Sequence, residues 1–205
     1  MIKALAFALL CLAAGSVTAF AQDDLAKLKS KGSCPGCVLA GADLRGLDLA
    51  EADLAGADLS GAQLQGADLT RARLSGARLE GANLEEAILR KARIDGARFA
   101  KARLEGASFY KADAGTEAPD FSGAKLEGAL FYKARLGAAD LREAVLLGAS
   151  LYKASLEGAD LRGADLSGAS FIAAGLSGAD FTGARMESTL FWRAALDGTK
   201  GLSFR

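Results

Sequence analysis

Residues 42–46, Ala-Asp-Leu-Arg-Gly, carry a five-residue pattern that returns, with substitutions, along most of the chain. A Leu, Ile or Phe occupies every fifth position from Leu39 to Phe109, which gives 15 units. After a break, the spacing resumes at Phe121 and gives 16 further units up to Leu196, one of them with Met. Ala precedes nearly every one of these residues by two positions. The fold must therefore be built from one short element repeated 31 times.

The pattern predicts a short strand followed by a corner. In the unit that begins at Ala52, the apolar residues Ala52 and Leu54 are two positions apart, so an extended chain would point them to one side and Asp53 to the other. A helix needs apolar spacings of three and four, and a strict spacing of five drifts off any helical face. Gly is the usual last residue of the unit, as at Gly56 and Gly61, and it suits the turn position that requires φ > 0.

The sequence resembles the pentapeptide-repeat family, whose units read Ala, Asp or Asn, Leu and two further residues. Residues 57–59 (Ala-Asp-Leu) and 82–84 (Ala-Asn-Leu) match this consensus closely, and the resemblance covers about residues 37–199. It implies an all-β fold, a right-handed quadrilateral β-helix with four units and 20 residues in each coil. We therefore expect about eight coils with the Ala and Leu side chains inside.

A 20-residue period is also visible in the residues themselves. When the last residue of each unit is sorted into four columns by steps of 20, three columns together hold Gly at 18 of 24 positions. The fourth column has no Gly and reads Glu51, Arg71, Lys91, Lys111, Lys133, Lys153, Ala173 and Arg193. This column keeps its phase across the break if two residues near 114–119 form an outward loop. We therefore predict a short loop there and an uninterrupted register of coils.

The same sorting predicts the interior. It places Phe99, Phe121 and Phe181 on one inner face and Phe109, Phe131, Phe171 and Phe191 on the opposite one. Large residues on two faces of four are consistent with an interior of constant width. We interpret these rings as core.

The N-terminal residues predict export. Lys3, an apolar run from Ala4 to Ala14 and a small-residue site ending at Ala21 form the three parts of a signal peptide, residues 1–21. The run is too short to span a membrane, so we expect a periplasmic or secreted protein with no membrane insertion after cleavage. Residues 22–36 are predicted to cover the first coil with a short helix capped by Asp23 or Asp24, and residues 200–205 form a C-terminal tail.

Two cysteines lie where the repeat begins. Cys34 falls at a Leu position and Cys37 at an Ala position, so both thiols should face inward across one corner. In an exported protein a structural disulfide is the preferred interpretation. A redox protein that uses the two thiols, or two free buried thiols, are the alternatives.

The residue types present argue against an enzyme. The chain contains no His, so it has no imidazole base and no His-based metal site. Most carboxylates, such as Asp48 and Asp53, occupy the outward middle position of a unit, where bonding to the turn backbone explains them without catalysis. We expect no catalytic residue, no metal and no cofactor.

One stripe of the surface differs from the rest. The residue before the Gly-free column is aromatic in several coils, and all three Tyr and the single Trp of the chain occur there. We call this stripe the aromatic–basic edge, and its members are Arg90, Lys91, Tyr110, Lys111, Tyr132, Lys133, Tyr152, Lys153, Trp192 and Arg193. Stacked Tyr and Lys side chains could simply stabilise adjacent coils. Alternatively, the edge could bind a protein partner, a second copy of the chain or a glycan; nucleic acid is not expected in that compartment.

Three function classes remain from the sequence. An exported, non-enzymatic interaction scaffold is favoured by the aromatic–basic edge. The resemblance also allows a DNA mimic that interacts with gyrase, since some pentapeptide-repeat proteins resemble DNA in shape and charge. Here, however, Arg73, Arg78 and Arg93 stand where the consensus has Asp, and the formal net charge is zero. A thiol redox protein that uses Cys34 and Cys37 is the third class.

Overall fold

The computed structural model describes residues 19–202. Residues 1–18 of the predicted signal peptide and residues 203–205 of the predicted tail lie outside the described residues. Within residues 19–202 there is one helix, α1, Ala19–Lys31, and every β-interaction is an isolated bridge rather than an extended strand. The described part of the chain holds no helix that is long and apolar enough to cross a bilayer.

Parallel bridges connect each coil to the next. They join the outward middle residues of the units, from Val38 with Asp58 at one end to Asp180 with Lys200 at the other, and most join residues 20 positions apart. Backbone hydrogen bonds accompany them, as where Leu44 N donates to Gln63 O at 2.8 Å. The predicted 20-residue period is therefore confirmed as a hydrogen-bonded register. The number of about eight coils stays a prediction.

Each corner is a tight turn. The amide of Ala42 donates to Leu39 O at 3.0 Å, and Gly41 between them has φ of +67°. A positive φ at the third turn residue favours Gly, but the Gly-free column adopts the same conformation throughout, with φ of +57° at Lys91 and +56° at Lys133. A left-handed conformation costs a non-glycine residue about 1–2 kcal/mol. The side chains of this column are therefore held in place against a conformational penalty.

The predicted loop is present and leaves the register intact. The bridge from Arg98 reaches Asp120, 22 residues on, whereas the bridge from Asp120 reaches Asp140, again 20 residues on. Glu117 O accepts a hydrogen bond from Gly96 N at 2.9 Å, as the first turn residue does in a regular unit. The two additional residues are therefore 115 and 116, next to the buried Ala114.

The interior is a column of Ala, Leu and Phe side chains. From Leu39 to Phe181 almost all inward side chains are buried. Phe99 stacks on Phe121 with ring centroids 4.8 Å apart, and Phe109 meets Phe121 edge to face at 5.6 Å. The two predicted Phe faces are thus confirmed as opposite walls of one core. From residue 184 onward the inward side chains are only half buried, because fewer coils cover them, and Leu202 packs against this end.

Helix α1 covers the opposite end. Leu28 is buried there and Leu25 packs against the core. The helix begins at Ala19, so the expectation that Asp23 or Asp24 caps it is wrong: both lie inside the helix. The Asp24 carboxylate instead accepts a hydrogen bond from Val38 N at 2.8 Å, which ties the helix to the first coil.

Candidate functional site

The structure brings the aromatic–basic edge together as a continuous stack. Tyr110 and Tyr132 lie 5.3 Å apart between ring centroids and Tyr132 and Tyr152 lie 5.4 Å apart, with the rings nearly parallel. The coil spacing of about 4.8 Å produces this geometry, since residues in one column of a β-solenoid repeat at the inter-strand distance. Both faces of Tyr132 are therefore covered by neighbouring rings.

The basic residues of the edge lie over the same rings. Lys111 Nζ is 5.4 Å from the Tyr110 centroid, and Lys133 and Lys153 lie at 5.0 and 5.1 Å from Tyr132 and Tyr152. The remaining cation–π contacts are those of Arg90 with Tyr110 and of Arg193 with Trp192. The hydrogen bond and charge interaction with Tyr132 raise the pKa of the Lys133 ammonium above its ordinary value of 10.5. These contacts offset the left-handed backbone of the lysines.

Exposure separates the rings of the edge. Tyr110, Tyr132 and Tyr152 are half buried in the stack, whereas Trp192 is 65% exposed. The lysines beside the rings are exposed. A partner approaching this edge would therefore meet lysine ammonium groups, tyrosine ring edges and Trp192, and not the faces of the tyrosine rings.

The charges of the edge differ from those elsewhere in their pairing. Among the described residues, neither Lys91 nor the three lysines on the tyrosine rings form an ion pair with a carboxylate. The arginines of other columns do: Arg73 lies 3.1 Å from Asp53, and Arg78 lies 3.6 Å from Asp58. The Arg-rich region is thus a self-paired surface, and the uncompensated cations concentrate on the aromatic–basic edge.

A flat face of low polarity adjoins the edge. Successive bridges align its outward residues, and we call them the serine–leucine face: Ile88, Ser108, Leu130, Ser150, Ser170 and Leu190. Its aliphatic members are well exposed, Leu130 by 47% and Leu190 by 51%. In the other outward columns these coils contain charged residues, whereas the serine–leucine face contains none.

The far side of this face is acidic, which sequence reasoning missed. Four of the six turn residues along it are glutamates, and we call them the glutamate border: Glu85, Glu105, Glu127 and Glu187. The Oε2 atoms of Glu105 and Glu127 are buried without a hydrogen-bond partner in the described residues. Sorting the first turn residues in steps of 20, as was done for the other columns, would have revealed this border.

The aspartates of the repeat hold turns. Asp48 Oδ1 accepts from Ala50 N at 3.0 Å and Asp68 Oδ1 accepts from Thr70 N at 2.8 Å, and the arrangement recurs along the chain. The side-chain hydrogen bond from Arg45 lowers the pKa of Asp43 from 3.8 to about 2. These contacts confirm that local bonding to the turn backbone accounts for such carboxylates.

The two cysteines lie together beneath α1. Cys34 and Cys37 are buried, their Cα atoms are 5.5 Å apart and their Sγ atoms are within bonding distance. Lys27 Nζ lies 3.8 Å from Cys37 Sγ, and a carboxylate oxygen of Asp24 lies within 4.8 Å of both sulfurs. Two thiolates and a carboxylate could hold a metal ion, but a disulfide would remove both sulfur ligands.

Together, these features define a parallel β-solenoid repeat protein with one edge of uncompensated cations. The chain belongs to the pentapeptide-repeat family, since the family model described as "Pentapeptide repeats (8 copies)" matches residues 36–71, 67–106, 120–158 and 149–187, more than half of the chain. The family relation implies that the solenoid is a right-handed quadrilateral β-helix. Proteins of this family are generally structural or interaction proteins rather than enzymes.

Solved structures of the same fold are similar to this chain. A trypsin-treated variant of QnrB1, a plasmid-mediated fluoroquinolone resistance protein, matches with a TM-score of 0.73 and 26% identity over 80% of this chain and 84% of that chain. A second trypsin-treated QnrB1 variant has a TM-score of 0.63 and 24% identity, with 75% and 84% covered. HetL from Nostoc sp. strain PCC 7120, involved in heterocyst differentiation regulation, is 32% identical with a TM-score of 0.41, with 82% and 84% covered. A search of curated protein sequences gives no match.

Proposed function

We propose that this chain is an exported, non-enzymatic scaffold that binds a protein partner through the aromatic–basic edge. The observation that carries the proposal is the row of exposed lysines on this edge that have no ion-pair partner within the described residues. Cations held in left-handed turns and seated on tyrosine rings are pre-positioned, which lowers the entropy that a partner must remove on binding. Trp192 adds an exposed aromatic group of the kind enriched in interface hot spots.

A protein partner suits this geometry better than a glycan. Sugars bind aromatic side chains through the ring face, and at Tyr132 both faces are already occupied by Tyr110 and Tyr152. The accessible groups are ammonium ions and ring edges, which pair with carboxylates and carbonyl oxygens. The partner surface would therefore carry acidic residues, and binding should weaken as salt concentration rises.

Export and the disulfide belong to the same proposal. Export rests on the predicted signal peptide, and the oxidising compartment it implies would favour a bond between Cys34 and Cys37. The burial of both sulfurs beneath α1 supports a structural disulfide over a redox site, which requires an accessible thiolate. Mass analysis of protein secreted by a bacterial host should show cleavage before Gln22 and resistance of both thiols to alkylation without reductant. An uncleaved chain with two reactive thiols would contradict both points.

Capture from a periplasmic extract tests the binding role with two edge variants. The first changes Lys111, Lys133 and Lys153 to Gln and leaves the tyrosine stack in place, and the second changes Tyr110, Tyr132 and Tyr152 to Ser. A matched control changes Lys101, Lys125 and Lys200, which lie on other columns, to Gln. If the edge binds a partner, the lysine variant loses the captured protein although its melting temperature is unchanged, whereas the control retains it. If the edge only stabilises the coils, the tyrosine variant melts earlier and all variants capture the same material.

A gyrase-interacting DNA mimic is the second candidate, favoured by the likeness to the QnrB1 variant at a TM-score of 0.73. The pairing of Arg73 with Asp53 and of Arg78 with Asp58 counts against it, because these pairs neutralise the surface that would have to imitate a polyanion. An assay of DNA supercoiling by gyrase with added protein separates the candidates. Unchanged supercoiling at a large excess of this protein is expected for the interaction scaffold.

A further inference from the structure

The serine–leucine face and its two charged borders point to a specific partner. We propose that this face docks against the same face of a second copy of the chain, with the two solenoids side by side and their axes parallel. The inference rests on the proposed function, since it identifies the protein that meets the aromatic–basic edge. It differs from association through the ends of the solenoids, because it uses a lateral face.

The order of charges across the face selects the parallel arrangement. Glu105 and Lys111 flank the same three-residue segment, which has Ser108 at its centre, and Glu127 and Lys133 flank the next one, with Leu130 at its centre. A two-fold axis along the solenoid exchanges the two borders at constant height, so Lys111 of each copy meets Glu105 of the other. A two-fold axis across the solenoid would place each border against itself, lysine against lysine. The first arrangement gains opposite-charge pairs where the second has repulsion.

The complementarity holds in every row of the face. From the coil of residue 88 to that of residue 190, no row carries the same charge on both borders. The successive border pairs are Glu85 and Lys91, Glu105 and Lys111, Glu127 and Lys133, Leu147 and Lys153, Ser167 and Ala173, and Glu187 and Arg193. Where one border becomes neutral at Ser167, the basic border also becomes neutral, at Ala173.

The ends of the docking surface follow from its central column. Asp48 and Asp68 continue this column toward the N-terminus, and in a symmetric pair each would face its own copy. Two aspartates at that position repel, so contact should end near Ile88. From there to Leu190 the central residues are Ile, Ser and Leu, which meet their own copies without burying a charge.

Groups on both borders lack partners within one chain. Glu127 forms no ion pair within the described residues and has a buried Oε2 atom without a hydrogen-bond partner. Lys133, across the same row, contacts only the ring system beside it. Pairing in a second copy would compensate both charges. Glu105 is less free, because it lies 3.7 Å from Arg103 within its own chain.

The dimensions of the face predict a weak complex. Six coils at about 4.8 Å per step give a length of about 24 Å, and the three-residue segments give a width of about 10 Å. This footprint is smaller than the ~800 Å² per partner of a typical stable interface. We therefore expect a dissociation constant in the micromolar range or weaker, with marked dependence on salt.

Sedimentation velocity of the purified protein over 1–500 µM, at low and high salt, tests the proposal with a charge exchange. Variant one carries Lys111→Glu and Lys133→Glu, and variant two carries Glu105→Lys and Glu127→Lys. Each alone should dimerise at least tenfold more weakly than the unmodified chain at low salt, whereas an equimolar mixture should recover association to within about threefold. The control Lys101→Glu with Lys125→Glu makes the same charge change as variant one on other columns and should dimerise normally.

Each outcome decides the matter. A purified chain that stays monomeric at 500 µM and low salt overturns the proposal, as does a dimer that is insensitive to both variants or a mixture that fails to recover. Far-UV circular dichroism of the variants verifies that they are folded. A monomeric chain that still captures an extract protein through its edge lysines would leave the proposed function standing, so the two failures can be told apart.

Discussion

Replacement of Phe121 by Ala tests the register across the loop and the packing of the core together. Phe121 is fully buried and is the first inward residue after the loop in the computed structure. It stacks on Phe99 at 4.8 Å and meets Phe109 and Phe131 edge to face at 5.6 and 6.1 Å. Burial of a Phe side chain contributes about 1.5–3 kcal/mol. Each aromatic pair adds about 0.5–1.5 kcal/mol.

We therefore expect Phe121→Ala to lower the free energy of unfolding by about 3–5 kcal/mol, the range found for Phe deletions that leave a cavity. Phe121→Leu restores the residue type of most inward positions and should cost only about 1 kcal/mol. The control Leu147→Ala, at a side chain that is 41% exposed, should change stability by less than about 0.5 kcal/mol.

Urea denaturation followed by circular dichroism measures all three variants. Because repeat proteins can unfold in segments, tyrosine fluorescence should be recorded as a second probe, and coincident transitions are needed before free energies are compared. A Phe121→Ala midpoint equal to that of Leu147→Ala would refute the reasoning. Phe121 would then lie outside the core, and the register assigned after the loop would be wrong.

Three further predictions concern the loop, the cysteines and acid. Deleting residues 115 and 116 restores the 20-residue spacing and should leave the melting temperature within a few degrees, since closure of so short a loop costs little; loss of the folded circular dichroism signal would show that these residues are structural. Reducing a disulfide between Cys34 and Cys37 should lower stability by roughly 2 kcal/mol on the chain-entropy relation, and Cys37→Ser should abolish the difference between oxidised and reduced samples. Bonding to Arg45, Arg142 and Arg162 lowers the pKa values of Asp43, Asp140 and Asp160, so this stabilisation is complete above about pH 4 and is lost as the pH falls toward about 2; melting temperatures at pH 7, 4, 3 and 2 should fall only in the last steps, and a decline already complete at pH 5 would contradict the assignment.

The sequence was sufficient for the backbone. A five-residue alternation leaves one short extended segment and one corner as the local solution, and the Gly-free column adds the 20-residue period. The opposite faces that carry Phe99 and Phe109 follow from that period alone, and the structure confirms them. Every unit repeats the same local problem, so local residues and coil register together determine the fold.

Other features depended on contacts between coils and on distant segments. The start of α1 at Ala19 could not be predicted from Asp23 and Asp24, because the helix is held by packing of Leu28 and by the bond from Val38 rather than by a cap. The covered faces of Tyr132 and the absence of ion pairs at the edge lysines in the described residues are likewise properties of the folded chain.

The residue types of the edge, the serine–leucine face and the glutamate border are all written in the sequence. Only the tertiary structure decided which of their charges are already satisfied. Arg73 finds Asp53 in the preceding coil, whereas Lys133 and Glu127 lie on opposite borders of one face and form no ion pair within the described residues. The physical reason is distance: charges stacked in one column are about 4.8 Å apart and can pair, whereas charges across a face are separated by the width of a strand segment.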